Sequence, residues 1–168
     1  MDAVFTLAWQ HAVGLVFPED LPMAAAELLA AGEDSSALCD LAGRGRGEPT
    51  AELDQLLREA LAELDVPRPD SGLAERCLLR HLAAGVVAGE LTAKEAAGRA
   101  WLGMGETATD VEWQFAEAVL RNCCSSCLLE LETDNAEAYR AWEQEVSAAA
   151  ATLAAAASDN PLRWSRRR

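Results

Sequence analysis

Residues 50–64 read Thr50-Ala51-Glu52-Leu53-Asp54-Gln55-Leu56-Leu57-Arg58-Glu59-Ala60-Leu61-Ala62-Glu63-Leu64. Leu53, Leu56, Leu57, Ala60, Leu61 and Leu64 recur at steps of three and four, and the residues between them are polar except Ala62. That is the period of an α-helix with one apolar stripe. A strand would need strict alternation, which is absent. Thr50 reads as the N-cap, and Pro67-Arg68-Pro69 as the stop. A single stripe is stable only against others of its kind, so the fold depends on matching stripes elsewhere in the chain.

Seven more segments carry the same period. Asp2 predicts the cap of a helix over about 2–16, broken by Phe17-Pro18. Asp20 predicts the cap of a second, with Pro22 in its first turn and Gly32 at its end. Ser35 or Ser36 opens a short third helix that ends at Gly43, and Gly43-Arg44-Gly45-Arg46-Gly47 is a loop. Asp70 or Ser71 opens the fifth, with an inner face of Ala74, Cys77, Leu78, His81, Leu82, Gly85 and Val86. Thr92 and Glu95 spell a capping box for the sixth, running through Leu102. The seventh extends from about Asp110 towards Leu131, with a kink near Ser125-Ser126. The eighth places Tyr139, Trp142, Val146, Ala149, Leu153 and Ala156 on a heptad seam. The expectation is an all-α fold: one domain of about eight helices over residues 1–160, in an orthogonal or bundle-like array, with a disordered basic tail at 161–168.

Composition agrees. Hydrophobic residues make up 51% of the 168, mostly Ala and Leu, and aromatics only 5%. That mixture favours helices over sheets, since Ala and Leu lose little rotamer freedom in a helix. A chain of this length buries roughly 70% of its unfolded surface and needs no disulfide or metal to fold. The net charge is −14. Positions 1–162 hold all 28 acidic residues and ten of the 14 basic ones, a net of −18. Such a body repels phosphate backbones and anionic membranes and attracts basic proteins. The N-terminus lacks the positive start of an export signal, and five cysteines is an odd number, so a cytoplasmic, reduced state is expected.

The motifs of common catalytic and nucleotide sites are missing: no Gly-x-Ser-x-Gly, no His-Glu-x-x-His, no phosphate loop. Two histidines, His11 and His81, supply few general bases. The cysteines are chemically sharper. Cys77 precedes His81 by four residues, and Cys124 precedes Cys127 by three. Each pair shares a helix face, and two facing pairs would make a Cys₃His zinc site or a redox thiol pair. Packing of the thiols as small apolar groups is the plainer alternative.

In the tail, Trp164 stands between Arg163 and Arg166, outside any apolar stripe. Its two readings are an aromatic anchor for a partner, with charges for steering, and a segment folded back on the acidic body. The stretch Leu21-Pro22-Met23-Ala24-Ala25-Ala26-Glu27-Leu28-Leu29-Ala30-Ala31-Gly32, continuing through Ser35-Ser36-Ala37-Leu38-Cys39 to Gly43, resembles uncharacterised small all-helical proteins of high-GC actinobacteria. The resemblance implies the helical fold and a bacterial cytosol, and it implies no function.

Small size, an acidic body and no assembled catalytic set together predict a non-enzymatic protein-binding module. The expected types are an acidic inhibitor of immunity or antitoxin type, or an adaptor. The expected partner is a basic protein, with no nucleic acid, no membrane and no cofactor. The alternative is a zinc-binding or thiol-dependent module built on Cys77, His81, Cys124 and Cys127.

Overall fold

The computed structural model describes residues 2–45, 47–100, 108–121, 125–157 and 159–166, with backbone alone for 125–127. Among these residues there are nine α-helices and no strand. They are α1 (Ala3–Ala12), α2 (Leu21–Ala30), α3 (Ser36–Ala42), α4 (Thr50–Glu63), α5 (Ser71–Ala88), α6 (Ala93–Arg99), α7 (Asp110–Leu120), α8 (Ser125–Asp134) and α9 (Ala136–Ala155). No helix among the described residues is long and apolar enough to cross a membrane.

The chain forms two compact units, residues 1–74 with 162–168, and residues 75–161. In the first, α2 packs on α3, α3 on α4, and α1 on both α2 and α4. Its centre is Phe5, Trp9, Leu21, Leu38, Leu41 and Leu53, each at most 1% exposed. In the second, α9 packs on α6, α7 and α8. There Phe115, Val119, Val146 and Leu153 are fully buried, and the Trp142 indole donates to the Ala118 carbonyl at 2.9 Å, pinning α9 to α7.

Local chemistry explains most helix ends. Asp2 accepts from the amides of Val4 and Phe5 at 3.1 and 3.0 Å, and Ser35 from that of Leu38. Glu63, at the far end of α4, adds a second cap to α3 by accepting from Ser35, Ser36 and the Ala37 amide. Those donors hold its carboxyl below the usual carboxylate range, the Ser35 hydroxyl foremost. The Thr92–Glu95 capping box is present in full. Asp70 accepts from the Leu73 amide at 2.8 Å.

Several ends differ from the sequence reading. Helix α1 stops at Ala12, because Gly14 takes φ +73° and lets the Leu15 amide return to the Gln10 carbonyl at 2.8 Å. This is a Schellman end, four residues earlier than expected. Asp20 does not cap α2 with its side chain. Residues Pro18–Asp20 form a 3₁₀ turn running directly into α2, so Asp20 already has helical dihedrals. Nor does Thr50 cap α4. Pro49 occupies the cap position with ψ 131°, and its carbonyl receives the Glu52 amide at 2.9 Å. Over the seventh segment the described residues form α7 and α8, and the chain between them at 122–124 lies outside the described residues. On α9 the buried row is Trp142, Val146, Ala150 and Leu153, with Ala149 only half-buried.

These caps set an expectation. Thr92→Ala should lower stability by about 1 kcal/mol, the usual worth of a hydroxyl cap. Thr50→Ala, at an exposed first-turn position without a cap bond, should stay within about 0.5 kcal/mol of the parent. Chemical denaturation of the two variants side by side checks the pair.

Candidate functional site

A cleft of about 250 Å³ opens between α1 and α4 in the first unit. Its floor is apolar, formed by Ala8, Leu57 and Leu61, and its polar rim holds His11, Asp54, Arg58 and Arg68. Each rim residue arrives by a local cause. His11 lies in the last turn of α1, and Asp54 and Arg58 are one turn apart on α4. Arg68 sits between Pro67 and Pro69, whose rings fix the backbone on both sides.

The His11 ring is held at both nitrogens. Nδ1 is 3.0 Å from the Val16 carbonyl, and Nε2 is 2.9 Å from Asp54 Oδ1. A carbonyl and a carboxylate both accept, so either nitrogen has an acceptor to donate to. The early end of α1 is what brings the Val16 carbonyl within reach. An imidazole acting as a general base on a nucleophile needs one nitrogen free for the reacting group. In this arrangement each nitrogen of His11 faces an acceptor, and among the described residues that line the cleft there is no Ser, Thr, Cys or Lys.

No family model, characterised protein or solved structure matches the chain.

Of the four residues assembled by the zinc or redox reading, two belong to α5. Cys77 is fully buried. Burial pushes its thiol up to about 12, and the nearby Arg76 charge offsets only part of that rise. A thiol so placed keeps its proton and packs as an apolar group. His81 is half-buried; burial first, then the Arg99 charge, lowers its pKa and favours the neutral ring. Cys124 lies outside the described residues, as does the side chain of Cys127. Among the described residues no group of three or more His, Cys, Asp or Glu side chains could hold a metal ion.

The tail residues are brought together on the first unit. Instead of a disordered segment, Pro161–Arg163 forms a 3₁₀ turn. Trp164 then lies against Phe5, with ring centroids 5.1 Å apart. Arg166 bridges Asp2 at 2.6 Å and Glu33 at 2.5 Å. Arg163 remains exposed. The physical reason is charge: two carboxylates on an acidic surface hold one guanidinium, and Phe5 supplies a ring face beside them.

Two features escaped the sequence reading. The first is a surface at the junction of α1 and α2, where Leu15, Phe17 and Met23 are 38, 57 and 64% exposed within nine residues. Glu19, Asp20 and Glu27 stand exposed among them. The second is a buried charge cluster in the second unit. Glu112, with no exposure, receives Arg76 Nε at 2.8 Å and Arg80 Nε at 2.6 Å. It also accepts from the Thr109 amide at 2.8 Å. Thr109 and Glu112 have the spacing of a capping box, and that rule could have marked Glu112 from sequence.

Proposed function

We propose that the chain is a protein-binding module that docks a basic partner on the surface around Phe17 and Met23. The observation that carries this reading is the exposure of Leu15, Phe17 and Met23 at the junction of α1 and α2, a stretch in which Glu19, Asp20 and Glu27 are exposed as well. Large apolar side chains exposed close in sequence to exposed carboxylates supply what a docking surface is made of, an apolar core and a polar rim. Isolated exposed apolar residues need no explanation, but three within nine residues of chain form a group. The net charge of −14 supplies the sign of the partner, since opposite fields speed encounter. An inhibitor of immunity or antitoxin type, or an adaptor, is the biological form this reading takes.

The experiment compares the parent with a Phe17→Ser, Met23→Ser double variant as baits in lysate at low and high salt. Both positions are exposed, so the fold should be kept, and circular dichroism confirms it. The expected result is a basic partner that the parent retains at low salt and the variant does not, with a loss on the order of 2 kcal/mol, the scale of a hot spot. Association should slow as salt rises, while dissociation changes much less. Equal retention by parent and variant, or concentration-dependent self-association that the double substitution abolishes, would overturn the assignment.

A further inference from the structure

We propose that the α1–α4 cleft binds a small organic carboxylate with an apolar body, gripped by Arg58 and Arg68 above the Ala8–Leu57–Leu61 floor. The first support is charge. In a protein of net charge −14, this cleft gathers two arginines against one carboxylate. Asp54 is already engaged with His11, so the two guanidinium groups are left as the cleft's uncompensated charge. Neither forms an ion pair with a described residue.

The second support is preorganisation. Gln55 Oε1 accepts from both Nε and Nη2 of Arg58, fixing the guanidinium plane while Nη1 has no partner among the described residues. Arg68 is presented from a backbone pinned by prolines on either side. The Arg58 fork is thus partly ordered before a ligand arrives, and for Arg68 the backbone is, which lowers part of the ordering cost at which affinity for small ligands is usually lost. Planar donor forks match a carboxylate, which takes two parallel hydrogen bonds from one guanidinium.

The third support is shape. The cleft has the volume of about eight water molecules, below the range of drug-sized ligands and suited to a compound of about ten non-hydrogen atoms. An apolar floor under a cationic rim selects an apolar body with one anionic end. Inorganic phosphate would leave the floor wet, and the acidic protein would repel a multiply charged anion more than a singly charged one.

Benzoate is a suitable probe, with benzamide as its neutral counterpart of nearly the same shape. Titration of the full chain, followed by protein NMR, should show benzoate shifting the amides of residues 8–12 and 54–61. Benzamide should bind at least tenfold more weakly. Arg58→Gln and Arg68→Gln should each weaken benzoate by a similar factor; both side chains are exposed, so thermal melting should be unchanged. Lys94→Gln, in the second unit, should leave binding as it was. Equal binding of benzoate and benzamide would overturn the proposal. So would indifference to both arginine substitutions, or no shift at millimolar benzoate.

Discussion

Glu112→Ala should cost the second unit about 3–5 kcal/mol, the penalty for removing one partner from a buried ion cluster. Arg80 is 4% exposed and donates to Glu112 and to the Ala156 carbonyl, while Arg76 donates to Glu112 and to Asp159. Without the carboxylate, two guanidinium groups remain in the interior with no counter-charge at its centre. The Arg80 Nη2 atom already lacks a partner among the described residues, so the site has little reserve. Replacing all three by apolar residues, as Glu112→Leu with Arg76→Met and Arg80→Met, should recover most of the loss. Denaturant midpoints of the single and triple variants check both halves. A single variant within about 1 kcal/mol of the parent would show that the cluster is solvated.

The same cluster shapes the acid limb of stability. Burial alone would raise the Glu112 carboxyl, but hydrogen bonds from Arg76, the Thr109 amide and Arg80 outweigh it and hold it below its ordinary value of 4.5. A carboxyl lowered by folding contributes stability that is present above about pH 4.5 and is lost as pH falls through the folded-state value. Glu112→Gln should therefore flatten the loss of stability on the acid side as well as lower its plateau. A variant with the parent's acid slope would place that proton uptake elsewhere, at Glu63 or Glu95, whose carboxyls are also lowered.

Sequence periodicity recovered the helices because each lies on a surface with one dry side. Helix α5 is the exception that hid the cluster. Ala74, Cys77, Leu78, Leu79, Arg80, Leu82 and Ala83 are all buried, an arc far wider than one stripe. A stripe reading assigns arginines to solvent, so Arg76 and Arg80 were passed over. The cleft was hidden for a different reason. His11 and Asp54 are 43 positions apart, and the Val16 carbonyl that holds the other ring nitrogen reaches it because α1 stops at Ala12. Gly14 signals that stop only once its φ of +73° is known. Caps were legible where a lone Ser, Thr, Asp or Asn precedes the helix, as at Asp2 and Thr92. They were misread where proline takes over the turn, as at Pro18 and Pro49.

Helix α4 separates what periodicity says from what packing decides. On the sequence, Leu53 and Leu56 are equal members of one stripe. In the structure Leu53 is 1% exposed in the centre of the first unit, and Leu56 is only half-buried. Leu53→Asp places a charge among apolar side chains with no partner. The unit must then either desolvate a carboxylate or protonate it, on top of losing the leucine contacts. The combined cost is about 4–5 kcal/mol or more, enough to unfold a domain of ordinary stability. At Leu56 the new carboxylate can turn into water, so Leu56→Asp should cost about 1–2 kcal/mol, chiefly the lost apolar burial. Far-ultraviolet circular dichroism during denaturation reads both. The expected outcome is a folded Leu56→Asp with a slightly lowered midpoint and a Leu53→Asp that has lost the helical signal of α1 to α4. Equal behaviour of the two variants would mean that α4 is rotated about its axis from the position described.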